Sequence, residues 1–95
     1  MARIVKDMAL TRADFFRGLA VAMGEEPYEV EGDRVTTGEG ARQLSISIRP
    51  LPPRRLGGLL ALDHCEVVLT FTGWDAAAQA AFLKTFDRAY QRGGG

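Results

Sequence analysis

The residues best suited to chemistry lie together in Asp63-His64-Cys65-Glu66, which holds the only histidine and the only cysteine of the chain. A thiolate beside an imidazole is the core of a Cys–His nucleophile pair, and both groups also bind metals. On a regular strand, however, adjacent side chains point to opposite faces, so His64 and Cys65 diverge unless the backbone bends there. A structural zinc needs four ligands, and no C-x-x-C or H-x-x-x-H spacing occurs. We therefore expect a buried thiol beside a surface imidazole, without metal, cofactor or enzymatic activity; a reaction at Cys65 and His64 is the catalytic alternative.

Other catalytic patterns are weaker. Ser45 and Ser47 fall on the exposed side of a predicted strand rather than at a strand-to-helix turn, where a nucleophilic serine would sit. Glu29 and Glu31 share an outward hairpin face and lack the apolar pocket that an acid catalyst requires. Neither glycine-rich phosphate-binding motif is present.

Four arginines form the strongest local charge. Residues 41–58 hold Arg42, Arg49, Arg54 and Arg55 and no acidic residue. If strand and loop curl together, these side chains could bind an anion or a nucleic acid, which is the alternative function. The whole chain nevertheless has twelve basic and twelve acidic residues and no net charge, unlike a typical nucleic-acid or membrane binder. Nucleic acid is therefore an unlikely partner, and a membrane is not expected.

The segment Arg49–Gly58 is predicted to be a loop, because it combines three prolines with paired arginines and paired glycines. Residues 50–55 also have the P-x-x-P-x-R spacing of a polyproline ligand, although a stiff solvated connection explains the same residues. Loops carry binding residues more often than cores do. We expect the Arg49–Gly58 loop and the polar face of the sheet to contact an unidentified protein partner. The predicted function is that of a small, non-enzymatic bacterial interaction or accessory domain.

Two helices and a set of strands position these segments. A helix over residues 12–23 is indicated by Thr11 as N-cap and by apolar residues at three- and four-residue spacing. A second helix, over residues 75–91, follows Trp74 and buries Phe82 and Phe86.

Alternation of apolar and polar residues predicts the strands. A hairpin turns at Gly32-Asp33, and the next strand points Leu44, Ile46 and Ile48 inward. In the strand 59–72, Leu60 and Leu62 have the opposite parity to Val67, Leu69 and Phe71, which predicts a bulge near residues 63–65.

The fold class that follows is α+β: an antiparallel sheet of about four strands with an N-terminal and a C-terminal helix packed on one face. A chain of 95 residues that is 46% apolar and 25% charged has the size and composition of one folded domain, 1–95. Residues 1–9 are expected to form an arm or an edge strand, and residues 93–95 a flexible tail. One cysteine and the lack of a long apolar stretch favour a cytoplasmic protein. The expected oligomeric state is a monomer or a weak homodimer.

One family resemblance accompanies this layout. The capped helix, the acidic E-x-E-G-D hairpin and the alternating strand that ends at Trp74 resemble the small amphi-Trp domains over residues 10–74. The proline-arginine segment and the C-terminal helix depart from that pattern. The resemblance implies no activity and no site residues. The Gly93-Gly94-Gly95 end is similar to that of ubiquitin-like carriers, but here a predicted helix directly precedes the glycines.

Overall fold

A five-stranded antiparallel sheet and two helices make up residues 1–91, which a computed structural model describes. In chain order the elements are β1 (Ala2–Met8), α1 (Arg12–Met23), β2 (Glu29–Glu31), β3 (Arg34–Glu39), β4 (Arg42–Gly57), β5 (Leu60–Thr72) and α2 (Ala76–Ala89). Their order in the sheet is β1-β5-β4-β3-β2. The α+β class is confirmed. The number of strands is five rather than about four, because residues 2–8 form an edge strand.

The first strand pairs with the last one. β1 lies antiparallel to β5, from Ala2 opposite Phe71 to Met8 opposite Cys65. β2 occupies the other edge of the sheet, so α1 connects the two edges across one sheet face. The predicted turn at Gly32-Asp33 is confirmed, and it places Val30 opposite Val35 and Glu31 opposite Arg34; Val30 lies in the edge strand and is exposed.

Side-chain caps fix where both helices begin. The Thr11 hydroxyl accepts a hydrogen bond of 3.1 Å from the backbone N–H of Asp14, and the Asp75 carboxylate accepts one of 2.7 Å from that of Ala78. α1 has its predicted bounds. α2 ends at Ala89, slightly before the predicted residue 91. No helix within residues 1–91 is long and apolar enough to cross a membrane.

The core lies between one face of the sheet and the two helices. The sheet contributes alternate buried residues of its three central strands: Val35, Thr37, Leu44, Ile46, Ile48, Cys65, Val67, Leu69 and Phe71. The helices contribute Phe15, Leu19, Ala22, Met23, Phe82 and Phe86. Tyr90 stacks on Phe15 with ring centroids 5.3 Å apart and donates a 2.7 Å hydrogen bond to its carbonyl oxygen, which locks α2 against α1. The helices therefore pack side by side on one face.

The predicted loop Arg49–Gly58 is wrong as a structural assignment. These residues continue β4 as far as Gly57 and pair with β5, so that the polyproline reading of residues 50–55 fails as well. Beyond Ser47, which pairs with Arg34, no strand within residues 1–91 pairs with the outer side of β4. A proline there leaves no ladder hydrogen bond unmade, which is why edge strands tolerate proline.

The predicted bulge lies on the other strand. Pairing shifts between Leu51 and Arg54, where Pro52 and Pro53 of β4 face the single residue Asp63 of β5. β5 itself has no extra residue at this shift. Leu60 and Leu62 therefore point to the face of the sheet that the helices do not cover, and neither is buried. The predicted tail at 93–95 lies outside the described residues.

A core truncation tests this packing. Phe86 is fully buried, so Phe86→Ala should lower the free energy of unfolding by about 3–5 kcal/mol. Val21 is an exposed apolar residue on α1, and Val21→Ala should change the free energy by less than about 0.5 kcal/mol. Urea titration of both variants measures the difference, and equal losses would contradict the assigned helix faces.

Candidate functional site

A cluster of exposed apolar side chains lies at the end of the β4–β5 hairpin. We call the part of this hairpin beyond the helices the hairpin extension; it comprises residues 51–57 of β4, the turn at 58–59 and residues 60–64 of β5. The turn uses positive φ angles at Gly57 and Gly58, which glycine adopts without strain. The molecule is 50 Å long but only 28 and 22 Å across, as expected when one hairpin projects from the body.

Three leucines at the tip of the extension are solvated. Leu56 is 58% exposed, Leu60 is 68% exposed, and Leu59, in the turn, is fully exposed. Arg54 and Arg55 precede them, and residues 54–62 include no acidic group. A cluster of solvated leucines flanked by arginines is typical of a contact surface, because such apolar patches are unfavourable in water and arginine is enriched at interfaces.

The two outer edges of the extension differ. The β4 edge carries Pro50, Pro52 and Pro53, which lack the N–H groups that another strand would bond. The β5 edge is covered by β1 only as far as Cys65, opposite Met8. From Leu60 to His64 that edge carries no proline, so its outward backbone groups are available for pairing.

An ionic cluster joins the extension to the body of the domain. The Nδ1 of His64 lies 2.8 Å from the Asp7 carboxylate, and its Nε2 lies 2.8 Å from the carbonyl oxygen of Pro52. Both neighbours are acceptors, so only the doubly protonated ring donates to both. The guanidinium of Arg54 donates to the other oxygen of Asp7 at 2.8 Å. The cluster therefore ties the end of β1 to both strands of the extension.

The electrostatics of Asp7 follow from these contacts. The hydrogen bond from His64 holds the pKa of the Asp7 carboxyl below its ordinary value of 3.8, burial opposes that shift, and the charges of His64 and Arg54 add to it. A carboxylate already bound by two donors and facing solvent is a structural group rather than a base poised for catalysis.

Cys65 and His64 do not form a catalytic pair. Cys65 is 1% exposed and faces the core, where its thiol donates to the carbonyl oxygen of Leu10 at 3.2 Å. His64 belongs to the opposite face of the sheet. Burial raises the pKa of the Cys65 thiol, and the negative charges of Asp63 and Asp7 raise it further. Within residues 1–91, no three His, Cys, Asp or Glu side chains converge in a way that could hold a metal ion.

The structure does not bring the four predicted anion-binding arginines together. Arg42 and Arg54 lie near opposite ends of β4, about 40 Å apart at the usual rise of a strand. Three of the four are occupied by carboxylates: Arg42 by Glu26 at 2.6 Å, Arg49 by Glu66 at 3.2 Å and Arg54 by Asp7 at 2.8 Å. Arg55 alone of the four makes no ion pair within residues 1–91.

Arg42 has a structural role that the sequence analysis missed. Its guanidinium lies 3.8 Å from the ring centroid of Trp74, whose Nε1 donates to the carbonyl oxygen of Gln43 at 3.0 Å. Arg42 therefore links the segment after α1, through Glu26, to the residue that precedes α2. The proximity of an arginine and the only tryptophan was not visible in a sequence that separates them by a whole hairpin.

The open face of the sheet is the second candidate surface. A central row of hydroxyl side chains, Thr36, Ser45 and Thr70, crosses β3, β4 and β5, and these side chains are exposed or partly exposed. Beside it, Val68 pairs with Val5 of β1 and with Ser47 of β4. No element within residues 1–91 covers this face. The sequence predicted its polarity correctly from the strand alternation.

Comparison with family models, curated proteins and solved structures finds no match to this chain, so the resemblance to amphi-Trp domains stays a prediction.

The Asp7 cluster predicts a pH dependence of stability. A carboxyl whose pKa is lower in the folded than in the unfolded protein stabilises the fold above the unfolded pKa, and this contribution is lost as the pH falls through the folded pKa. Asp7→Asn should therefore lower the free energy of unfolding at neutral pH, and the difference from the wild type should shrink below about pH 4. Urea titrations between pH 7 and pH 2.5 measure this difference in the free energy of unfolding. Glu39→Gln, which replaces a surface carboxylate outside the cluster, serves as the control. A difference that is independent of pH would contradict the cluster.

The position of Cys65 predicts its reactivity. Because the thiol is buried and its pKa is raised, iodoacetamide should modify it about 100-fold more slowly in the folded than in the urea-unfolded protein. The rate against urea concentration should follow the unfolding curve. Rapid alkylation of the folded protein near neutral pH would instead favour the catalytic alternative at Cys65 and His64.

Proposed function

We propose that this protein is a non-enzymatic interaction domain whose contact surface is the hairpin extension together with the open face of the sheet. The observation that carries the proposal is the exposure of Leu56, Leu59 and Leu60 at the tip of a projecting hairpin. These leucines contribute nothing to the core, so their apolar area is available to a partner.

The surroundings of these leucines favour a protein as the partner. Each of three acidic side chains, Glu26, Glu66 and Asp7, binds an arginine of β4 and offsets its charge, which weakens the attraction of this strand for an anionic polymer. An apolar tip flanked by arginines matches the composition of a protein interface, whose core is apolar and in which arginine is enriched. The open face adds hydroxyl groups that form hydrogen bonds in either direction.

No constellation in the described residues competes with this role. The only thiol is buried, the only imidazole is held between two oxygen acceptors, and the two lie on opposite faces. The cavity of about 460 Å³ beside the end of β1 is lined by Lys6 and Asp87, which bind each other at 3.0 Å, by Asp7, which binds His64 and Arg54, and by Met8, Ala9, Leu10 and Tyr90. A binding domain accounts for this arrangement without assigning a reaction to any of these groups.

Site-specific photo-crosslinking tests the proposal. A photo-reactive amino acid placed at Leu59 should yield, in cells of the source organism, adducts that contain a second polypeptide chain. Val21, exposed and apolar on α1, is the matched control position and should yield none. The absence of an adduct at Leu59, or equal adducts at both positions, would contradict the contact surface.

A second measurement separates contact from folding. Replacing Leu56, Leu59 and Leu60 together by serine should change the free energy of unfolding by less than about 0.5 kcal/mol, because these side chains are solvated. A crosslinker at position 51 within the extension should capture the partner when the leucines are present and should lose its adduct in the serine variant. A loss of folding would show that the leucines are structural.

A further inference from the structure

The outer edge of β5 is the one strand edge of the extension that neither prolines nor another element of residues 1–91 protects. The β4 edge is blocked by its prolines, but Leu60, Ala61, Leu62 and Asp63 present a regular ladder edge beyond the end of β1. Proteins usually blunt such an edge with proline, lysine or a bulge, or else use it for pairing. The register shifts at Leu51/Arg54 and Arg55/Gly57 place the additional residues on β4, so the edge of β5 stays straight.

We propose that a second copy of this chain binds this edge, with the two β5 strands antiparallel about a twofold axis at Leu62. The inference deepens the proposed function, on which it rests, by naming a partner for the hairpin extension. It joins two five-stranded sheets into one and brings their open faces to the same side.

Symmetry leaves few possible registers. In a twofold antiparallel pair, one residue must lie opposite its own copy. If that residue were Asp63, two carboxylates would oppose each other, and Ala61 would lie opposite Cys65, where β1 already pairs through Met8. If it were Ala61, each Arg55, which pairs with Ala61 across the hairpin, would lie in the same row as its copy. An axis at Leu62 places two apolar side chains opposite each other. It also puts Arg54, which pairs with Leu62, in one row with its copy, but the charge of each Arg54 is offset by Asp7 at 2.8 Å, whereas Arg55 makes no ion pair within residues 1–91.

Charge complementarity supports the register at Leu62. Ala61 then lies opposite Asp63 of the second copy, so that Arg55, Ala61 and that Asp63 form one row across three strands. The Cα atoms at the ends of the row are about 10 Å apart, and the short side chain of Ala61 leaves room for the guanidinium to reach the carboxylate. Neither Arg55 nor Asp63 makes an ion pair within residues 1–91, and the symmetry provides the pair twice.

The exposed tip also gains a contact in this register. Leu60 lies opposite His64 of the second copy. This pairing places Leu59 near the segment where β1 of the second copy ends. There Met8, Ala9 and Leu10 line the cavity of about 460 Å³ together with Tyr90. The fully exposed Leu59 of each copy can thus cover apolar surface on the other. Because each copy contributes only one short strand and a turn, the dissociation constant should be in the micromolar range, about 1–100 μM.

Disulfide trapping tests the axis. Residues opposite each other in an antiparallel pair have Cα atoms about 4.5–5.5 Å apart, within the range of a disulfide. Leu62→Cys should form a covalent dimer in oxidising buffer at least about ten times faster than Leu60→Cys, which in the proposed register faces histidine rather than its own copy. The native Cys65 is buried and present in both variants, so any disulfide formed through it contributes equally to the two rates. Equal rates for the two variants would overturn the register.

A charge exchange tests the pairing independently of folding. Arg55→Glu and Asp63→Arg should each weaken the dimer at least about ten-fold in sedimentation equilibrium, since each places like charges in one row. The double variant should restore the dissociation constant to within about three-fold of the wild type. Single and double variants that dimerise equally well would overturn the proposal, as would a wild type that remains monomeric at about 1 mM.

These results also distinguish this inference from the proposed function. If the wild type is monomeric while the crosslinker at Leu59 captures a different protein, the second copy is the wrong partner and the contact surface stands. If the wild type is monomeric and Leu59 captures nothing, both proposals fail.

Discussion

The difference in length between the central strands and the helices shapes the rest of this molecule. β4 has 16 residues and β5 has 13, whereas α1 has 12 and α2 has 14. At about 3.3 Å per residue in a strand and 1.5 Å in a helix, β4 extends for about 50 Å and each helix for only about 20 Å. The helices therefore cover one half of the β4–β5 ladder. The buried residues Leu44, Ile46, Val67, Leu69 and Phe71 all lie in that half, and the leucines beyond it have nothing to pack on.

The uncovered half is held by polar contacts rather than by a core. Asp7, at the end of β1, binds His64 of β5 and Arg54 of β4, and His64 also reaches the carbonyl oxygen of Pro52. Because these groups are partly solvated, they orient the extension more than they stabilise the whole domain. A hairpin that is positioned but has no core of its own suits the binding role proposed for it, since its apolar surface stays available.

Much of the covered half could be predicted from the sequence. The cap at Thr11, and the alternation through Leu44, Ile46 and Ile48, are local signals that tertiary structure did not override. The extension was predicted wrongly because proline opposes a strand only when its missing N–H is needed by a neighbour. Whether another strand paired with β4 at Pro50–Pro53 depended on how far β3 extends along β4. The extent of that pairing is a property of the whole sheet and cannot be read from residues 50–53. The Asp7–His64 contact joins residues far apart in the chain, and β1 itself was ambiguous, so the cluster could not be predicted.

The proposed pairing of two copies depends on the edge of β5 in the extension, and backbone amide exchange measures that edge directly. Hydrogen–deuterium exchange of residues 60–64, followed by mass spectrometry or NMR, should be compared at low and high protein concentrations. If two copies pair through β5, exchange in this segment slows as the concentration rises through the micromolar range, whereas exchange in the buried strand residues 67–71 stays constant. Exchange at residues 60–64 that is fast and independent of concentration would contradict pairing through this edge.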